Sequence, residues 1–468
     1  MRCIHPIVSI SLIFLLLAAA VLVPFFVSGD LDVSRGDSAN AAGDYTSASS
    51  AYQAAAQRLF WRDDLWEKAG LAAFKANEPQ NAILFLQKAS HLSAQGWLAL
   101  GQAYTQNKQF DLAIGAYQSA LTKYGASPQA YAGLAQIYYQ RGELDAERLA
   151  LQNQLLLAPQ DAAAQYRLGL LLSLTNIRSA MTHLQLASQL DPEYASVFQT
   201  LRTALDLAEL EPSESARLET LGRGLGLVNE WTLAEVAFQE SVEMDANNAE
   251  AWAWLGESKQ HLGENGRAEL DRALSINPQS VVVRGLRGLY WKRLGDDRNA
   301  LAEYQAAAQI EPDNPAWKAS IGETYARLGD LVSALAAYQR ATEIASSDAT
   351  YWRLLATFCA QYSVRVDDVG LPAAQKAVEL TPNDPLALDA LGWSQLSLGQ
   401  FSAAIETLLS ALKISPDLAA AHLHLALAYL QSGDRNAAYD QLVRVQKLDP
   451  QGVYGQQAAQ ILKQYFSQ

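Results

Sequence analysis

The sequence predicts an all-α fold: a stack of helix–turn–helix repeats preceded by one transmembrane helix. Three observations carry that prediction. In "IGETYARLGDLVSALAAYQRA" (321–341), Gly322, Tyr325, Gly329, Ala334, Tyr338 and Ala341 fall 3, 4, 5, 4 and 3 residues apart, which fits two helices with a break at Gly329-Asp330. The same pattern recurs along most of the 468 residues. An uncharged apolar run stands alone near the N-terminus.

That run, "IVSISLIFLLLAAAVLVPFFV" (Ile7–Val27), contains 21 residues and no charge. As a helix it reaches about 32 Å, enough for a hydrocarbon core of about 30 Å. Arg2 precedes it and Asp30 and Asp32 follow. The positive-inside tendency therefore places the N-terminus in the cytoplasm and the remainder outside it. The rival reading is a cleaved signal peptide, for which Val27-Ser28-Gly29 offers small residues, and it leaves a secreted protein.

After the anchor, "GDYTSASSAYQAAAQRL" (43–59) reads as the second half of a weak first repeat whose partner helix is eroded. Further repeats start at residues 63, 94, 128, 162, 215, 249, 281, 315, 349, 385 and 419, and six of the ten steps are 34 residues. The others are 31, 32, 36 and 53. The longest holds an extra helix, "YASVFQTLRTALDLAEL" (194–210). The expected organisation is an anchor over 1–28, a first array over 29–193, an irregular helical joint over 194–214, a second array over 215–452 and a capping helix over 453–468. In that last helix Val453, Ile461 and Leu462 are expected to face inward.

The eighth place of the repeat is small, as at Gly101, Ala135, Gly169, Gly222, Gly256, Gly288, Gly322, Ala356, Gly392 and Ala426. Prolines 159, 312, 416 and 450 occupy the thirty-second place, where the ring ends a second helix. A 34-residue unit with these places resembles the tetratricopeptide repeat family. The resemblance implies a right-handed superhelical solenoid whose contacts are nearly all local. It also implies that Trp66, Trp97, Trp252 and Trp352, at the fourth place, serve packing, and that first helices line an inner groove.

Composition bounds the function. With 35 Lys+Arg against 49 Asp+Glu the net charge is −14, which argues against nucleic acid as a partner. Only Cys3 and Cys359 are present, so no disulfide framework or thiolate cluster is available. Of the six histidines none forms HExxH, and His422 and His424 point in different directions on one helix. "LGRGLGL" (221–227) lacks the GxGxxG spacing and a preceding strand. No catalytic residues, cofactor, metal or small-molecule substrate are expected, and the chain reads as a non-enzyme.

What remains is a surface for other proteins. The resemblance turns the second, fifth and ninth places of first helices into the groove. In the first array these include Gln95, Gln102, Gln129 and Gln136, whose amides suit the backbone of an extended peptide. In the second array they include Glu219, Arg223, Glu257, Glu323 and Arg353, then Leu386, Trp393, Leu423 and Leu427. The expectation is a membrane-anchored, non-catalytic protein-interaction scaffold binding a peptide or helix in this groove. The alternative is a module that binds or assembles a cell-envelope polysaccharide, since tryptophan and glutamine also suit sugars.

Overall fold

The computed structural model describes residues 6–466, with side chains described at residue 20 and from residue 23 onward. Among the described residues every regular element is helical. The chain forms two compact units, one of the residues up to Glu211 with Leu227–Asn229, the other of Pro212–Gly226 and everything from Glu230.

The N-terminal unit begins with the long α1 (Pro6–Ala41) and α2 (Tyr45–Arg58). Three further pairs follow: α3 (Asp64–Lys75) with α4 (Pro79–Leu86), α5 (Ala94–Gln106) with α6 (Phe110–Tyr124), and α7 (Pro128–Arg141) with α8 (Leu144–Leu157). The unit ends with α9 (Ala162–Ser173), α10 (Ile177–Leu190) and α11 (Ala195–Ala208). The C-terminal unit pairs α12 (Glu214–Leu227) with α13 (Trp231–Met244), α14 (Ala249–His261) with α15 (Arg267–Ile276), and α16 (Val281–Arg293) with α17 (Asp297–Ile310). It continues through α18 (Pro315–Arg327) and α19 (Leu331–Ile344), then α20 (Ala349–Tyr362) and α21 (Leu371–Leu380). It closes with α22 (Pro385–Ser397), α23 (Phe401–Ile414), α24 (Ala419–Ser432), α25 (Arg435–Leu448) and α26 (Val453–Phe466).

Nine of the eleven expected repeat starts coincide with the first residue of a helix, and the other two, 63 and 215, lie one residue away. Local chemistry explains this accuracy. Ser93, Ser127, Asn248, Ser280 and Asn314 each accept a backbone N–H at the head of a first helix. Proline takes the first helical position in α7, α18 and α22, where its missing N–H costs nothing. Between the helices of a pair the fifteenth place adopts left-handed backbone, as at Gly295 (φ 75°), Gly329 (φ 81°) and Gly433 (φ 92°). Asp330 follows Gly329 at once and caps α19 by accepting from the Ser333 N–H at 3.0 Å.

Packing follows the eighth place. A Cβ added at Gly101 would stand 2.7 Å from the Tyr117 ring, and one at Gly322 2.9 Å from Tyr338. In each case the small residue accepts the side chain sixteen positions later, so the first helix approaches the second closely enough to exclude water. Irregular steps have equally local causes. The 31-residue step ends in the short α4, the 32-residue step in the short α15, and the 36-residue step carries a π-type turn at Val366–Gly370. The 53-residue step holds α11, within the stretch expected to contain an extra helix.

Two expectations, on the partner of α2 and on Val453, need correction. The partner of α2 is not eroded: the tail of α1 is its first helix, with Gly36 against Tyr52 and Gly43 (φ 80°) at the turn. These are the eighth, twenty-fourth and fifteenth places of a repeat starting at residue 29. Val453 is 67% exposed, whereas Ile461 and Leu462 pack as expected against the core of the last helices. Among the described residues no helix is long and apolar enough to cross a membrane. The 7–27 run lies, apart from residue 20 and residues 23–27, outside the described side chains.

Candidate functional site

In the N-terminal unit, α5 and α7 place glutamine at the ninth and thirteenth positions of consecutive repeats: Gln102 and Gln106, then Gln136 and Gln140. Four residues on a helix return to the same face, so each pair forms a stripe and the two stripes lie side by side. Together with Phe74, Thr105, Lys108 and Tyr117 they line an open pocket of about 450 Å³. All four glutamines are exposed. Among the described residues, none of their amides is engaged by another side chain. The pocket therefore presents solvent-facing donors and acceptors, none of them taken by another side chain, over an aromatic floor.

That floor is fixed. Tyr117 is 1% exposed, wedged between α5 and α7 at Gly101 and Gly133, where any Cβ would collide with its ring. Burial pushes its phenol above the usual tyrosine range, partly offset by the nearby Thr105 hydroxyl. Gln136 also lines a neighbouring pocket of about 300 Å³ with Tyr139, Glu147, Leu151, Gln154 and Arg167. Here the charges are already spent on each other: Arg167 Nε donates to Glu147 Oε1 at 2.6 Å and Nη2 to Oε2 at 3.0 Å. The same guanidinium lies 4.5 Å above the Tyr139 ring.

Of the four glutamines expected from sequence, Gln102 and Gln136 share the first pocket, while Gln95 and Gln129 are exposed outside it. Gln129 instead accepts from the Ser127 hydroxyl at 3.1 Å. Gln106 and Gln140 were missed, although their four-residue spacing from the ninth place is a legible signal.

The equivalent places in the C-terminal unit are Glu323 and Arg327 on α18 and Thr357 and Gln361 on α20. With Ser320, Leu354, Phe358, Tyr362 and Tyr338 they line a pocket of about 570 Å³. Glu323 pairs with Lys292 at 2.6 Å and Arg327 with Asp297 at 2.7 Å. Burial, reinforced by Glu323, pushes the Tyr338 phenol up. No other residue expected in the second groove lines this pocket. Arg223 is exposed and sits 5.7 Å over Trp254, with Glu219 accepting from Asn248 at 3.1 Å. Arg353 and Leu427 are half-buried, and Leu386 is exposed at the start of α22.

Two of the expected groove residues are core. Glu257 is 3% exposed and holds Arg293 through contacts of 2.6 and 2.7 Å, with His261 at 3.2 Å. Leu423 is 2% exposed in a cluster with Ala426, Leu442, Val445 and Ala458, packed against Ile461, Leu462 and Phe466 of α26. The closing helix covers the face that Leu423 was expected to offer. Trp393 is half-buried and stacks on His424 with ring centroids 4.3 Å apart, while His424 Nδ1 stands 2.7 Å from the buried Asp389.

His422 and Cys359 are both sequestered. His422 meets Gln441 at 2.6 Å and the Pro416 carbonyl at 2.9 Å. Burial pushes the Cys359 thiol up to about 12, the reverse of an activated nucleophile. Among the described residues no group of three or more His, Cys, Asp or Glu is placed to hold a metal ion.

Four segments match models of the tetratricopeptide repeat: residues 94–137, 294–357, 392–433 and 419–451. No curated protein matches the chain. Among solved structures it is similar to the Cut9–Hcn1 hetero-tetramer of the APC/C, at 14% identity over 94% of this chain and 96% of that one, with a TM-score of 0.46. It is also similar to yeast Tom70, at 15% identity over 78% and 94% of the two chains and a TM-score of 0.41. YrrB, described as a TPR protein with an unusual peptide-binding site, matches at 18% identity over 41% of this chain and 97% of its own, with a TM-score of 0.30.

Proposed function

Because the chain carries tetratricopeptide repeats, we propose that it is a non-catalytic scaffold that captures an extended polypeptide segment of a partner protein, and that residues 7–27 hold it in a membrane with the repeats on the extracytoplasmic side. The observation that carries the capture is the array of Gln102, Gln106, Gln136 and Gln140 around one open pocket. A peptide backbone repeats one donor and one acceptor per residue, and a primary amide offers both kinds of group. Four such amides over the Tyr117 floor match that backbone without demanding a particular charge. The anchoring is supported by the 21 uncharged residues from Ile7 to Val27, with Arg2 on one side and Asp30 and Asp32 on the other.

The test uses the full chain in detergent and a phage-displayed dodecapeptide library. Peptides enriched on the native protein are expected to lose about tenfold or more in affinity for Gln102→Ala/Gln136→Ala, since each lost hydrogen bond costs about 0.5–1.5 kcal/mol. The melting temperature should not move, because both side chains are exposed. Undiminished binding by the double variant overturns the assignment of the pocket. Absence of any enriched peptide, together with retention of the protein on insoluble peptidoglycan, would instead favour the envelope-polymer alternative.

A further inference from the structure

The N-terminal unit exposes a cluster of large aromatic rings where α1 meets the loop between α2 and α3. Phe60 is 76% exposed, Trp61 55% and Phe25 44%. The rings form a chain of edge-on contacts: Phe25 to Phe26 at 5.7 Å, Phe26 to Trp61 at 4.7 Å and Trp61 to Phe60 at 5.1 Å. Val23 and Val27, 57% and 52% exposed, extend the patch along α1. Phe26 alone turns inward, against the core of the first repeats. A folded chain gains nothing from leaving such a patch in water, so its exposure points to a surface that covers it.

The position of the patch along the chain identifies the cover. α1 runs without interruption from Pro6 to Ala41, so the helix that contains the apolar run is the same helix that opens the first repeat. Its tail is locked to α2 by the buried Asp32 paired with Arg58, by Gly29 against Leu59, and by the Tyr52 hydroxyl donating to Asp37 at 2.7 Å. This packing lifts Phe60 and Trp61 to the level of residue 26. From Ile7 to Phe26 a helix rises about 28 Å, which is close to the thickness of a hydrocarbon core. Asp30 and Asp32 on α1 and Arg58 and Arg62 beside the loop mark where charge resumes. Aromatic rings with one apolar side and one wet side settle at this boundary.

We infer that Phe25, Phe60 and Trp61, backed by Phe26, form an interfacial aromatic cluster that seats the first repeat on the extracytoplasmic surface of a lipid bilayer. This rests on the membrane reading given above. The consequence is orientation: the first repeat shares its helix with the anchor instead of hanging from a separate linker, and the cluster fixes the side of that repeat that faces lipid.

The test places a fluorophore in the cluster. The full 468-residue chain with Cys3→Ser and Phe60→Cys is labelled with an environment-sensitive dye and reconstituted into phosphatidylcholine vesicles. Cys359, buried and with its thiol pushed up to about 12, stays unlabelled. A Leu156→Cys chain is the reference, since Leu156 is 80% exposed on α8 of the same unit. Both chains should float with the vesicles. The label at 60 should then be quenched several-fold more than the label at 156 by spin-labelled lipid, with its emission shifted to the blue. Flotation with equal quenching at the two sites overturns the cluster and leaves the anchor standing, whereas failure of both chains to float overturns the anchor and the cluster together.

Discussion

Tyr117→Ala should destabilise the N-terminal unit by about 3–5 kcal/mol, the usual cost of removing a large buried ring and leaving a cavity. The ring is 1% exposed and wedged at Gly101 and Gly133, two glycines that have no side chains to move into the void. Tyr117→Phe keeps the ring and loses only the hydroxyl, so it should cost about 1 kcal/mol or less. Urea unfolding followed by circular dichroism measures both. A shift of the first transition by less than 1 kcal/mol for the alanine variant would show that the wedge is not what holds α5 to α7. The same experiment bears on the pocket, because Tyr117 is the floor beneath the four glutamines.

The second large effect is expected at Glu147. Its side chain is 2% exposed and meets Arg167, itself 16% exposed, in a two-point contact. Glu147→Ala removes the buried carboxylate that meets the Arg167 guanidinium at two points over Tyr139, and should cost about 3 kcal/mol. Replacing both partners, as Glu147→Leu/Arg167→Met, removes the charge with its partner and should recover most of that loss, since an apolar pair of similar volume often matches a buried ion pair. If the double variant is no more stable than Glu147→Ala, the pair contributes through packing on Tyr139 rather than through charge. The chemical-denaturation midpoint of the unit distinguishes the two results.

Much of the fold was legible because its rules are local. A cap such as Ser93 or Asn314, a proline at the first helical position and a glycine at the turn each act within a few residues. The eighth-place glycine and the ring sixteen residues later meet within one repeat, so their spacing alone announces the pair. The first helix of the repeat starting at residue 29 read as eroded because it is fused to the apolar run. Hydropathy there dominates the pattern, although Gly36, Gly43 and Tyr52 stand at the right places.

The candidate site was only half legible, and the reason is geometric. Sequence determined that Gln102 and Gln136 share a register and face one side of successive first helices. Which neighbours complete their pocket depends on how α5 and α7 lie against each other, and that is set by Gly101 and Gly133 closing on Tyr117. The packing brought in Gln106 and Gln140 and left Gln95 and Gln129 outside. Glu257 and Leu423 show the same division. Each occupies a place that periodicity assigns to a groove, yet Arg293 and His261 close over the one and α26 over the other. The sequence by itself determined the helices, their turns and the side of each helix on which a residue lies, because these follow from interactions between near neighbours in the chain. Only the tertiary structure decided which of those sides stays open, because burial depends on residues that the chain brings in from other helices.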